Sequence, residues 1–308
     1  MAGKRVVVTG ATGLIGREVC ATLIAKGYEV VVFSRDPQSA RAKVPGAADY
    51  IAWTPSETGP WTTAIDGAHG VISLAGASIA GQRWTPEHKR AILDTRVIGT
   101  RGLVKAMAAA QEPPKVFVSG SAIGYYGARD DTPLDERASA GVGFLTEVVK
   151  AWEAEALKAE PLGIRTALIR TGVVLDKREG ALPQMALPFK FFAGGPVLPG
   201  TQWVSWIHHA DEVGLIVLAL ENDQARGPIN AVAPGAQMYK DFARVLGRVM
   251  HRPSWAPVPG FAVRIVVGEA AELVTTGQRV IPKQAQELGY RFAYPTSESA
   301  LSEIFGAK

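Results

Sequence analysis

The segment Thr9-Gly10-Ala11-Thr12-Gly13-Leu14-Ile15-Gly16 has the residue types and spacing to hold phosphates. Its glycines stand at 10, 13 and 16, after the apolar run Val6-Val7-Val8 and before a stretch of helical spacing. In a turn that leaves a strand and opens a helix, the first glycine permits the tight turn. The second lets the backbone approach a pyrophosphate, and the third allows close helix–strand packing. The helix start adds unpaired N–H groups and a positive partial charge. Thr12, Leu14 and Ile15 complete the turn as cofactor-binding candidates. A purely structural turn is the competing reading, and the strand–turn–helix context favours the functional one.

The next strand of such a unit normally ends on an acidic residue that binds the ribose 2′-hydroxyl of NAD. Here it ends Phe33-Ser34-Arg35. Ser34 takes the acidic position, and the Arg35 guanidinium after it suits a 2′-phosphate through charge-assisted hydrogen bonds. Ser34 and Arg35 therefore point to NADP as the cofactor. The alternative leaves Arg35 in solvent and puts Asp36 on the ribose.

Other reactive groups offer less. The lone Cys20 allows neither an internal disulfide nor a cysteine metal site. His208 and His209 are adjacent, so on a strand they would face apart, and no metal is expected.

The elements that position the turn alternate strand with helix. Val6–Val8, Val30–Phe33, Val71–Leu74, Val116–Val118 and Arg165–Arg170 read as buried strands. Leu14–Lys26, a helix opened by Thr85-Pro86 and ending before Pro113, and Phe144–Ala159 read as helices. This pattern predicts an α/β fold: a Rossmann-type doubly wound parallel sheet with a smaller, mainly helical C-terminal part. The expected domains are 1–235, which binds the cofactor, and 236–308. Gly180 to Gly200 is rich in Gly and Pro; within it Gly194-Gly195-Pro196 and Leu198-Pro199-Gly200 read as turns, and Asp211–Leu220 reads as a helix.

The chain is 47% hydrophobic and 20% charged, enough for a large core. Its net charge of +4 is spread out, without a basic run that would suit nucleic acid. No stretch approaches the ~20 apolar residues of a membrane span. A soluble, cytoplasmic protein acting on a small molecule is expected, with neither nucleic acid nor membrane as partner.

The Gly-x-x-Gly-x-x-Gly spacing resembles the short-chain dehydrogenase/reductase superfamily, especially its extended, epimerase-like branch. In that superfamily a Tyr-x-x-x-Lys pair on one helix exchanges the proton, aided by a serine or threonine on the preceding strand. Val118-Ser119-Gly120-Ser121-Ala122-Ile123-Gly124-Tyr125-Tyr126-Gly127 resembles the matching strand end. Ser121 falls on the catalytic position, and Ser119 is counted with the cofactor residues. Aligned on Glu153, however, the tyrosine position holds Leu145 and the lysine position Val149, which transfer no protons. Tyr125 or Tyr126 is the substitute donor, with aromatic packing as the competing role. The superfamily's structural asparagine is replaced by Arg96.

The whole chain resembles the atypical members of this superfamily called epimerase family proteins. The resemblance rests on Leu74-Ala75-Gly76-Ala77-Ser78-Ile79-Ala80, Arg83-Trp84-Thr85, Arg170-Thr171-Gly172-Val173-Val174-Leu175, Gln202 to His208, Gly277-Gln278-Arg279-Val280 and Leu288-Gly289-Tyr290. It implies an NADP-binding fold with a small C-terminal domain from about Pro253, a retained serine, and loss of the Tyr and Lys. It also places Leu74, Ala75 and Gly76 near the ribose, Arg96 at the site, and Thr171, Gly172 and Val174 beside the nicotinamide. Superfamily members often dimerise through the two long helices, here Thr85–Ala110 and Phe144–Ala159, so a homodimer is the analogous assembly. Trp84, Trp203 and Trp206 roof a pocket or pack; Arg83 and Arg96 hold an anionic substrate or pair internally; His208 resembles a structural histidine.

Two functions follow. One is an NADP(H)-dependent oxidoreductase or epimerase in which Ser121 polarises an oxygen and Tyr125 or Tyr126 donates a proton. The other is a sensor or scaffold that binds NADP(H) without turnover.

Overall fold

The computed structural model describes residues 3–306 except 57 and 81. Val6 and Val8 face one apolar cluster, while Val7 between them faces another. A strand buried on both faces needs helices above and below, and the chain supplies them in order. They are β1 (Arg5–Thr9), α1 (Leu14–Ala25), β2 (Glu29–Ser34), α2 (Pro37–Lys43), β3 (Asp49–Ala52), β4 (Gly70–Ser73), α3 (Pro86–Ala109), β5 (Val116–Ala122), α4 (Phe144–Ala156) and β6 (Arg165–Thr171). Then come β7 (Val173–Leu175), α5 (Ala181–Lys190), β8 (Trp203–Val204), β9 (Trp206–His208), α6 (His209–Glu221), β10 (Gly227–Ala231), β11 (Gln237–Met238) and α7 (Tyr239–Val249). The chain closes with α8 (Gly260–Val267), α9 (Glu272–Thr275), α10 (Lys283–Glu287) and α11 (Ser297–Gly306).

Seven strands form one parallel sheet in the order β10-β6-β5-β4-β1-β2-β3. The order reverses between β1 and β4, which opens a crevice at the strands' carboxyl ends. Leu23, Leu215 and Ile216 of α1 and α6 cover one face; Leu103, Met107 and Ala156 of α3 and α4 cover the other. Thr85 caps α3 by accepting from the His88 N–H, with Pro86 in the first turn. α4 ends at Ala156, and a 3-10 segment through Leu162 replaces the turn expected to Ala159, with Pro161 inside it and left-handed Gly163 (φ 80°) closing it.

Three elements depart from expectation. α5 was not expected in the Gly- and Pro-rich stretch; it precedes the turns at 194–200, and its buried stripe of Leu182, Ala186 and Phe189 outweighs Pro188 inside it. The short α2 and β3 carry too little periodicity to stand out. His208 and His209 do not sit apart on a strand: His208 is the N-cap of α6 and His209 its first residue. Their rings meet at 4.3 Å.

A third apolar cluster is built across residue 235. Leu182, Phe189 and Trp206 join Phe242, Leu246, Leu301 and Ile304.

The glycine turn is tight on two sides. Gly10 is left-handed (φ 70°), and a Cβ there would lie 2.6 Å from the Leu74 carbonyl carbon. A Cβ on Gly16 would run into the Gly10 carbonyl oxygen, which is backbone and cannot rotate away. Gly16→Ala is therefore expected to cost about 1–3 kcal/mol by overpacking, read as a lowered urea midpoint. An unchanged midpoint would show that α1 shifts freely.

Candidate functional site

A cavity of about 420 Å³ opens at the carboxyl ends of β1, β2 and β4. Gly10, Thr12 and Gly13 form its floor, Ser34 and Arg35 one end, and Leu74, Ala75 and Gly76 a wall. Its geometry follows from the turn. The first helical hydrogen bond of α1 runs from Arg17 N–H to the Gly13 carbonyl (3.1 Å), so the N–H groups of Leu14, Ile15 and Gly16 precede the helical ladder. Such a helix start attracts an anion. The bare Gly10 and Gly13 let that anion reach the backbone, so the residues present fit a dinucleotide pyrophosphate.

The far end is basic. The Ser34 hydroxyl accepts from Asp36 N–H (3.2 Å) and donates to the Asp36 carbonyl (3.1 Å). Asp36 uses Oδ1 to accept from Ser39 N–H (3.0 Å), capping α2. That cap brings Ser39 and Lys43 of α2 onto the cavity beside Arg35. Among the described residues neither Arg35 nor Lys43 has an ion-pair partner. Sequence reasoning missed Ser39 and Lys43, as well as Trp53, Pro55 and Thr95 on the cavity wall. Asp36-Pro37, a helix-start signal, would have found the first two.

Arg96 sits behind the wall rather than on it. Its guanidinium donates to the carbonyls of Ala77 and Ile92 (both 3.0 Å) and lies 5.2 Å from the Trp152 ring centre. Burial lowers its pKa to about 10, leaving it charged at neutral pH. Thr95 accepts from Ala77 N–H (3.0 Å). Both residues hold the loop after β4 in place.

Beyond β5 a buried network links several of the expected catalytic groups. Ser121 donates to Glu153 Oε1 at 2.5 Å. Glu153 receives Arg170 through two oxygens, at 2.8 and 2.9 Å. Arg170 also donates to the Tyr126 hydroxyl (3.0 Å), which donates to Asn230 Oδ1 (2.7 Å). Burial works against the Arg170 charge, but Glu153 and Tyr126 outweigh it and push its pKa up. Burial pushes the Tyr126 hydroxyl up to about 12.

This network places two of the expected groups. The Ser121 hydroxyl donates to Glu153 within the buried network. Tyr126 is wholly buried, with its hydroxyl held between Asn230 and Arg170. Tyr125 differs: it is half-buried, and the Arg170 guanidinium carbon lies 3.6 Å from its ring centre. Leu145 and Val149 pack toward Gly124, where a Cβ would be 3.3 Å from Leu145 Cβ and 3.9 Å from Val149 Cγ2.

Several other candidates lie off the cavity lining. Ser119 is fully buried and donates to the Gly120 carbonyl (3.0 Å). Gly172 gives its N–H to Ala231 of β10 (3.0 Å), and Val174 packs against the main core. Thr171 donates to Glu212 Oε1 (2.6 Å). Arg83 donates to the carbonyls of Ile265 and Val266, so it is not a free anion holder. Trp84 and Trp206 are buried and bonded to the carbonyls of Ile79 (2.8 Å) and Gly235 (3.0 Å); Trp203 reaches Asp131 (2.7 Å).

His208 accepts from Ala210 N–H on Nδ1 (3.2 Å) and faces Glu303 through Nε2 (2.9 Å). Two groups, His208–His209–Glu303 and Glu18–Asp176–His209, each bring their ligand atoms within 4.8 Å of one another. In the first, His208 already pairs with Glu303; in the second, Arg178 pairs with Glu18 and Asp176. No helix among the described residues is long and apolar enough to cross a membrane.

The chain matches the model of the NAD dependent epimerase/dehydratase family over residues 6–232, and a domain of unknown function (DUF1731) over 258–304. It is 42% identical over 301 residues to the "Epimerase family protein SDR39U1 homolog, chloroplastic" of Arabidopsis thaliana, covering 97% of this chain and 86% of that protein. It is similar to the crystal structure of human epimerase family protein SDR39U1 (isoform 2) with NADPH: TM-score 0.88, 32% identity, 99% of this chain and 100% of that one. It also resembles a nucleoside-diphosphate sugar epimerase from Corynebacterium glutamicum: TM-score 0.78, 32% identity, 99% of this chain and 58% of that one.

Glu212 gives the site a pH signature. Burial raises its pKa from 4.5 to about 8, opposed by the Thr171 hydroxyl, and Oε2 has no partner. A carboxyl with a raised folded pKa stabilises most below its unfolded value and loses that stability as pH rises through the folded one. Glu212→Gln is therefore expected to melt several degrees above the parent at pH 9, with the gap closing by pH 4. A constant gap across this range would remove the assigned ionisation.

Proposed function

Because the chain belongs to the NAD dependent epimerase/dehydratase family, we propose that it binds NADP(H). It then acts as an oxidoreductase or epimerase on a small molecule, without the superfamily's Tyr-x-x-x-Lys pair. The observation that carries the cofactor choice is the cluster of Arg35, Ser39 and Lys43 at one end of the cavity. Two unpaired cations there favour a phosphate dianion over a ribose hydroxyl. The Asp36 carboxylate, on the cavity lining beside Arg35, spends Oδ1 on the α2 cap. The NADPH in the human SDR39U1 structure agrees with this choice.

Bound NADP(H) supplies a hydride donor or acceptor. Gly10, Gly13 and the start of α1 hold the pyrophosphate, and the wall of Leu74 to Gly76, supported by Arg96, fixes the ribose side. Thr171, Gly172 and Val174 shape the nicotinamide end through backbone and packing. Tyr125 is the group left to exchange a proton, because Ser121 and Tyr126 are spent on Glu153 and Asn230. Ser121, Glu153 and Arg170 act as positioning residues that fix the Tyr125 ring.

One observation favours the second function, NADP(H) binding without turnover. Leu145 and Val149 leave apolar carbon where the superfamily transfers its proton.

Arg35→Ala should weaken NADPH binding at least tenfold and NADH binding less than threefold, measured by nucleotide fluorescence titration. Equal losses would remove the 2′-phosphate assignment. Turnover is tested by following deuterium from 4-deuterated NADPH into a library of carbonyl compounds. Positioned proton transfer contributes about 10²–10⁴-fold, so Tyr125→Phe should lose about that much. Full retention removes Tyr125 from the reaction, and no transfer by the parent favours the non-catalytic reading.

A further inference from the structure

We propose that the surface formed by residues 187–192 and 251–256 docks on an anionic lipid membrane, which the chain lies against without crossing. α5 and α7 both end at this surface. The chain leaves α5 through Phe191 and Phe192, and leaves α7 through His251 and Arg252. The two exits are tied together. The Trp255 indole N–H donates to the Phe192 carbonyl (2.9 Å), and the backbone N–H groups of Trp255 and Ala256 donate to the Gly194 carbonyl (2.9 and 3.0 Å). Phe191, Trp255 and Phe192 are 74%, 69% and 56% exposed, and Leu187 of α5 is exposed with them. Of the seven tryptophans, Trp255 alone is exposed. Large apolar residues gathered in solvent mark a surface that meets a partner.

The backbone carries a second sign. Phe192 is held at φ 60° and His251 at φ 54°, and among the described residues they are the only non-glycine residues in this left-handed region. A helix end of this kind ordinarily takes glycine. A bulky side chain there is strained, and such strain marks places that carry function. Core packing does not account for the Phe192 ring, since the residue is more exposed than buried. The strained backbone presents an aromatic ring to whatever lies outside.

Charge selects the occupant. Residues 180–210 and 242–268, which contain both exits, carry neither Asp nor Glu. Lys190 directly precedes Phe191, and the Arg252 guanidinium carbon lies 4.5 Å from the Phe192 ring centre. Among the described residues neither cation has an ion-pair partner. The partner is therefore anionic and apolar at one depth. An anionic bilayer surface is both: its phosphates meet Lys and Arg while Trp and Phe rings enter the boundary with the acyl chains. The rings protrude, so a fluid surface receives them without the shaped pockets that a protein partner needs. A search for membrane spans misses such a surface, because its rings come from segments 63 positions apart rather than from one long apolar helix.

The test sediments the full chain with vesicles of phosphatidylcholine alone and with vesicles of equal parts phosphatidylcholine and phosphatidylglycerol. The parent should pellet with the mixed vesicles and stay in solution with the neutral ones, and its tryptophan emission should shift to the blue on binding. Phe192→Gly relieves the left-handed backbone. It should therefore melt at or above the parent temperature while binding to mixed vesicles falls about fivefold or more. Lys190→Gln combined with Arg252→Gln should lose about tenfold or more. Failure of the parent to pellet with the mixed vesicles would overturn the proposal. So would equal binding to neutral vesicles, or binding that Phe192→Gly leaves unchanged. Sedimentation velocity without vesicles tests the other occupant: a parent dimer that Phe192→Gly dissociates would assign the surface to a second copy and overturn the membrane assignment.

Discussion

The buried pair of Arg170 and Glu153 is the interaction on which this site depends. It joins β6 to α4, and through Ser121 and Tyr126 it reaches β5 and β10. Taking two charges from water is costly, and the pair persists because both Glu153 oxygens and all three guanidinium nitrogens are hydrogen-bonded. The same bonds decide what chemistry remains. A serine that donates to a buried carboxylate has no proton to offer elsewhere, and a phenol held at both lone pair and proton cannot exchange either. Of the two tyrosines, Tyr126 is wholly buried and Tyr125 half-buried.

Much of the fold was legible because its signals are local. The glycine turn, the strand runs around Val7 and Phe117, and the Thr85-Pro86 cap each span a few residues. Arg35 was legible for the same reason. What sequence reasoning missed depends on distance. Ser121 is tied to a residue 32 positions on, and Arg83 to carbonyls more than 180 positions on. Lys43 reaches the cavity only because Asp36 starts α2. The two adjacent histidines were placed on a strand, where alternation separates them, but a helix start brings the rings together.

The two ends of the crevice obey different physics. The β2 end is open and cationic, with polar groups waiting for a partner. At the α4 end the ionic groups are satisfied internally and carbon faces the space between.

α8 has a consequence for how such proteins diverge. A residue whose side chain is wholly packed resists change, since each lost or added methylene is felt by its neighbours. α8 has no such residue, and its ends are anchored by groups outside the helix. Substitutions along its outer side are thermodynamically cheap, within about 0.5 kcal/mol for ordinary surface changes. Selection can thus rewrite what this helix touches while the sheet, the glycine turn and the ionic network stay fixed. Relatives can therefore vary the outer side of this helix without first having to acquire spare stability.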